Sequence, residues 1–162
     1  MAASTLLVRR PSTADNGREL VTSVHDVTKS VLRRVHPSLD AEGITMGQFW
    51  ALHLVSAFRS TSLSAVARHL SVSAPTVCGN IDQLVSAGLV ERRRSDRDRR
   101  AVELTLTPRG RKVEARIWAR MGEVMAQAIA DLPPKDVATT ARVFRELQQW
   151  FEEHEGVVEE AA

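Results

Sequence analysis

The sequence predicts a mainly α-helical protein with a two-stranded β ribbon. Three observations carry that expectation. Apolar residues recur every three or four positions through long stretches at both ends of the chain. Between them lie two short helical segments separated only by Ser71-Val72-Ser73. Immediately afterwards, over residues 89–106, the apolar period drops to two. Helix, tight break, helix and ribbon make a winged helix-turn-helix, and 162 residues suit one such domain with helical extensions.

In chain order, residues 1–16 lack periodicity and read as a flexible tail. Leu20, Val24, Val27, Val31 and Val35 then mark a helix over about Arg18 to His36, with Asp15 or Asn16 as its cap and Pro37 as its stop. Residues 37–44 read as a loop. Thr45 and Gln48 have capping-box spacing and open a helix from Met46 to about Phe58, apolar nearly all round and expected to be buried. Ser64 is the expected cap of the next helix, which turns Leu63, Val66, Ala67 and Leu70 inward. Ser73 caps its successor, which accepts Pro75 in its first turn and ends at Gly88. Strands follow at Leu89–Arg94 and Ala101–Leu106 around a polar turn, with Val102, Leu104 and Leu106 on one face. Thr107-Pro108 starts a helix of about 25 residues reaching Leu132, roughly 37 Å at 1.5 Å each. Pro133-Pro134 separates it from a last helix bearing Val137, Ala141, Phe144, Leu147 and Phe151.

The expected organisation is therefore a tail (1–16), a dimerisation helix and loop (17–44), the winged helix-turn-helix (45–106), a long connecting helix with a C-terminal dimerisation helix (107–155), and an acidic tail (156–162). A helix that long leaves more apolar face than one small domain covers, so a homodimer through the N- and C-terminal helices is expected, against the alternative that these helices fold back on their own domain.

Charge is segregated. Residues 91–112 carry nine Arg or Lys against four acids, whereas residues 146–162 carry six Glu and no Arg or Lys. An Arg-dominated block suits a polyanion such as double-stranded DNA, and equally describes a solvated ribbon. Cys78 stands alone, so no internal disulfide forms. No apolar run approaches a membrane span, and the first apolar patch precedes its arginines rather than following them, so a cytoplasmic protein without membrane contact is expected. The five His show no metal-ligand spacing and no Gly-rich phosphate loop is present. No enzyme, catalytic residue, metal or cofactor is expected.

Ala74-Pro75-Thr76-Val77, Ile81-Asp82-Gln83-Leu84, Ala87-Gly88-Leu89-Val90-Glu91-Arg92, Asp98-Arg99-Arg100-Ala101 and Leu104-Thr105-Leu106-Thr107-Pro108-Arg109-Gly110 follow one another at spacings that resemble the MarR-type (multiple-antibiotic-resistance regulator) winged helix-turn-helix regulators. The resemblance covers about residues 18–153. It implies a homodimeric transcriptional regulator, with repression as the expected mode, on a pseudo-palindromic operator, often released by a small aromatic effector. The second helix of the motif would enter the major groove, presenting Pro75, Thr76, Gly79, Asn80 and Gln83. Amides at Asn80 and Gln83 can pair with adenine, or are ordinary exposed polar groups. Gly79 permits close approach to DNA, or is a tolerated helix defect. This helix departs from the family in having no Arg or Lys between Ala74 and Ala87, where members often carry one near Gly79 and one near Gln83. The wing would compensate. The resemblance implies minor-groove insertion of Arg100, oriented by Asp98, with Arg94, Arg97 and Arg99 nearby on phosphate. Ser62, Ser64 and Ser73 lie at helix N-termini that suit phosphate, or serve as caps.

An effector lodged between the first two helices and the long one would touch His25, Met46, Trp50, His53, Trp118 and Met121, which as core packing need no ligand. Cys78 is a redox sensor on the recognition helix or, more in keeping with its lack of an adjacent base, a small hydrophobe. The competing class is a winged-helix protein-interaction module without specific DNA binding, which the missing recognition-helix arginines favour and the basic wing opposes.

Overall fold

The computed structural model describes residues 12–58, 62–94 and 102–154. Its elements are α1 (Thr13–Glu42), α2 (Met46–Ala57), α3 (Leu63–Leu70), α4 (Ala74–Ser86), β1 (Val90–Arg94), β2 (Val102–Leu106), α5 (Pro108–Ala128) and α6 (Pro134–Glu153). This is the expected order. The chain divides into two units after Val124.

In the first unit, Phe49, Leu52 and Val55 of α2, Val66 of α3, and Val77, Ile81 and Leu84 of α4 form one buried cluster with Leu89, Leu104, Val113 and Ile117. α2 is apolar nearly all round, as expected, and its capping box closes: the Gln48 N–H donates to Thr45 Oγ1 at 3.2 Å, and Gln48 Oε1 accepts the Thr45 N–H at 2.7 Å. The strands pair antiparallel, Val90 opposite Leu106 and Arg94 opposite Val102.

Several boundaries differ from the sequence expectation, each for a local reason. α1 starts at Thr13 and is capped by Ser12, whose hydroxyl accepts the Asp15 N–H at 3.2 Å while the Asp15 carboxylate takes the Ser12 N–H at 3.1 Å. A short Asp closes this box in place of the usual Glu or Gln. α1 also runs through Pro37 to Gly43, which ends it at φ 68. The proline removes one helical donor, but Val35 and Leu39 on either side of it are fully buried, and that packing holds the helix together. The cap of α3 is Ser62, not Ser64: Ser62 Oγ accepts the Ala65 N–H at 3.3 Å, and the Ser64 hydroxyl pairs with Ser62 Oγ at 3.0 Å. β1 begins at Val90 because Leu89 belongs to the end of α4. Its N–H bonds Leu84 O at 2.9 Å behind the left-handed Gly88, and its carbonyl takes the Thr107 N–H at 3.0 Å.

That Leu89 carbonyl positions α5. Thr107 Oγ1 accepts the Gly110 N–H at 2.9 Å and donates to Gly88 O at 2.8 Å, tying the start of the helix to the end of α4. Gly110 lies so close to Leu89 that a Cβ there would meet the Leu89 oxygen at 2.0 Å. α5 is four residues shorter than expected, because the residue before Pro133 is pushed out of helical conformation and residues 129–132 form a turn. The second unit contains α6, which has no buried residue; Phe144, Trp150 and Phe151 lie on its exposed surface.

Candidate nucleic-acid interface

The recognition helix α4 is amphipathic in the required sense. Val77, Ile81 and Leu84 are buried, which leaves Pro75, Thr76, Gly79, Asp82 and Gln83 exposed. Ser73 caps it through the Thr76 N–H at 3.3 Å, and the Ser73 and Thr76 hydroxyls lie 2.8 Å apart. The cap role of Ser73 and that of Ser62 are thereby accounted for. Gly79 faces open space, with nothing within 4 Å of where a Cβ would stand.

The two amides have different surroundings. Asn80 is half-buried, and its Nδ2 comes to 3.4 Å of the Cβ position of Gly47 in the first turn of α2. Gln83 Oε1 accepts a hydrogen bond from Nε2 of Gln48, also in the first turn of α2. The sequence shows Gln48 as a capping residue only. Its second bond joins residues 35 positions apart, and the signal for it is a glutamine whose carbonyl oxygen the cap consumes while its amide end remains to be satisfied.

Charge on the helix is already matched. Asp82 Oδ1 receives Arg92 Nη2 of β1 at 2.6 Å, and Cys78 Sγ sits 3.7 Å from the other Asp82 oxygen. Arg93 donates through both Nε and Nη2 to Glu91 Oε2, at 3.0 and 2.8 Å. Arg94 ends β1. The expected wing-tip residues Arg97, Asp98, Arg99 and Arg100 lie outside the described residues.

Of the residues expected around an effector, Trp50, His53 and Trp118 come together. The His53 ring stacks on Trp118 with centroids 4.6 Å apart and planes within 8°, and Trp50 meets Trp118 edge-on at 6.3 Å. Phe49 joins them, and His53 Nδ1 pairs with Glu114 Oε1 of α5 at 2.8 Å. Neither Phe49 nor Glu114 was among the residues expected there. Met46 and Met121 pack against the same core. His25 instead pairs with Asp26 at 3.3 Å on the exposed face of α1. Among the described residues no group of His, Cys, Asp and Glu has metal-binding geometry, and no helix is long and apolar enough to cross a membrane.

Residues 42–101, from the end of α1 to the ribbon, match the model of the MarR family. The transcriptional repressor MdtR of Bacillus subtilis is 23% identical over 141 residues, spanning 85% of this chain and 91% of that protein. The crystal structure of reduced MarR from E. coli is 26% identical with a TM-score of 0.69, covering 79% of this chain and 95% of that one. A mutant MarR from E. coli complexed with operator DNA superimposes with a TM-score of 0.66 at 23% identity, over 85% and 99% of the two chains. Element order, the capped helix-turn-helix with its ribbon and these similarities agree: the chain is similar to the MarR-family winged helix-turn-helix regulators, and its residues 42–101 match that family's model.

Proposed function

We propose that this protein is a sequence-specific DNA-binding transcriptional repressor that grips a pseudo-palindromic operator as a homodimer. The observation that carries the reading is α4: a helix with a buried apolar face, a polar outer face and a hydroxyl cap, followed by a ribbon whose sequence carries Arg97, Arg99 and Arg100 at its turn. The match of residues 42–101 to the MarR family model and the operator complex of the similar MarR from E. coli support it. α4 enters the major groove with Pro75, Thr76, Gly79, Asn80 and Gln83. The ribbon turn reaches the minor groove with Arg100, held by Asp98, while Arg94, Arg97 and Arg99 meet phosphate. The N-termini at Ser62, Ser64 and Ser73 add neutral phosphate donors.

Leu20, Val21, Val24 and Val27 of α1, and Phe144, Trp150 and Phe151 of α6, are exposed apolar residues that a second copy would cover. A twofold pair places its recognition helices about 34 Å apart, one turn of DNA. A small aromatic effector lodging against Trp50, His53 and Trp118 would release the operator only by binding the released geometry better than the bound one.

The test is selection of bound duplexes from a random pool, with binding repeated across salt concentrations. A two-half-site consensus and an affinity that falls steeply with salt are expected. A flat salt response without sequence preference would instead support the protein-interaction module, which the lack of any Arg or Lys between Ala74 and Ala87 keeps as a second reading.

A further inference from the structure

We propose that Gln48, a residue of α2 outside the recognition helix, is a positioning residue for base readout. By fixing the orientation of the Gln83 carboxamide, it decides which hydrogen-bonding group α4 offers to a base edge. The inference rests on the DNA-binding reading above.

The polarity follows from one backbone group. The Thr45 N–H can only donate, so the Gln48 atom 2.7 Å from it is the carbonyl oxygen. The other end of that side chain is then the NH2, and it is this end that meets Gln83. Gln83 must therefore turn its own oxygen inward, and its NH2 is directed away from Gln48. Gln48 is only 7% exposed, the one buried polar residue among the described residues, so reversing it would strand a buried amide without its partner. Gln83, by contrast, is on the exposed face.

An outward NH2 donates. It suits the O6 and N7 acceptors of guanine and the O4 of thymine, and it opposes the N4 amino group of cytosine. Gln83 is thus expected to favour guanine or thymine over cytosine at the position it reads, a choice made by a buried neighbour 35 residues earlier in the chain.

The substitution Gln48→Glu tests this, because it keeps the cap and reverses the polarity. A carboxylate still accepts the Thr45 N–H, as capping boxes with Glu do, but it has no proton for Gln83. The Gln83 amide then turns its NH2 inward and presents its oxygen, an acceptor that suits cytosine N4 or adenine N6. Duplexes are selected from a random pool by the full-length wild type, by Gln48→Glu, by Gln83→Ala, and by Gln48→Glu combined with Gln83→Ala. The expected result is a shift of about tenfold in base preference at one position per half-site in the single variant, with the other positions unchanged. In the Gln83→Ala background the Gln48→Glu change should move no preference.

Retention of the wild-type consensus by Gln48→Glu, even at reduced affinity, overturns the inference while leaving DNA reading intact. So does a shift that persists without the Gln83 side chain. Should Gln48→Glu fail to fold, Gln83→Glu on the exposed helix surface offers Gln48 the same inward acceptor and presents a second acceptor outward. It should shift the preference in the same direction, and an unchanged consensus there counts against the proposal. A wild-type protein that selects no sequence defeats the DNA-binding reading and this inference together.

Discussion

Replacing Gly110 with Ala should strongly destabilise the winged domain. The added Cβ would stand 2.0 Å from the Leu89 oxygen, 2.9 Å from its carbonyl carbon and 3.3 Å from its Cα. Backbone cannot swing aside as a flexible side chain does. Relief requires the first turn of α5 and the Leu89 peptide to separate by more than 1 Å, judged against an ordinary contact of about 3.2 Å or more. The Leu89 carbonyl holds the Thr107 N–H at 3.0 Å, and the Leu89 side chain is fully buried, so separation both strains the core and loosens that bond. Overpacking contributes about 1–3 kcal/mol and the weakened hydrogen bond about 1 kcal/mol. Alanine's better helix propensity returns at most about 1 kcal/mol. The net loss is roughly 1–3 kcal/mol, a substantial part of a stability of about 5–15 kcal/mol. Urea unfolding followed by far-ultraviolet circular dichroism measures it. A midpoint equal to that of the wild type would refute the close-approach argument. Gly79→Ala is the internal control with the opposite sign, since an exposed helical glycine in open space should gain about 0.5–1 kcal/mol from the same chemical change.

Other consequences follow from the caps and the arginines. Ser62→Ala should cost about 1 kcal/mol of stability in the same unfolding assay and Ser64→Ala almost nothing, because only Ser62 accepts a helix N–H; equal losses would return the cap to Ser64. Arg100→Ala should lower operator affinity about tenfold and flatten the salt dependence, as removal of a groove-inserted charge must, and an unchanged binding isotherm would remove that residue from the interface. The hydrogen bonds from Ser12 hold the Asp15 carboxyl below its ordinary 3.8. A carboxyl lowered on folding stabilises above its unfolded value and loses that contribution as pH falls through the folded one. The first turn of α1 should accordingly fray only below about pH 4. Amide protection at residues 13–16, taken relative to an unstructured peptide at the same pH, reads this, and protection that does not fall on acidification would contradict the cap.

The legible parts of the fold were those where one local pattern decides. Val77, Ile81 and Leu84 sit at helical spacing behind Ser73, and Leu104 and Leu106 alternate with Glu103 and Thr105, so α4 and β2 could be read directly. What local pattern could not weigh was tertiary support. Pro37 stops a helix when nothing else is buried nearby, but Val35 and Leu39 anchor both sides of it, and α1 continues to Glu42. Leu89 has the composition of a strand residue, yet the left-handed Gly88 and the start of α5 claim its backbone groups first. The same limit applies to the interface. Which residues of α4 face outward follows from periodicity. That Gln83 is tied to α2, and Asp82 to β1, depends on contacts between residues distant in the chain.

Those two ties bear on how the helix could read DNA without an arginine. An aspartate on a recognition helix repels phosphate, and Asp82 is exposed. Arg92, reaching across from β1, cancels that charge at 2.6 Å and spends its own in doing so, as Arg93 does on Glu91. The ribbon's first strand thus contributes less to the attraction of a polyanion than its three consecutive arginines suggest. In the proposed DNA-binding reading the burden of affinity would move to Arg97, Arg99 and Arg100, and α4 would be left to discriminate through a hydroxyl, an open glycine and an oriented amide. Discrimination and attraction would then reside in separate elements. Substitutions in α4 would alter which sequence is chosen, and substitutions in the turn would alter how strongly any sequence is held.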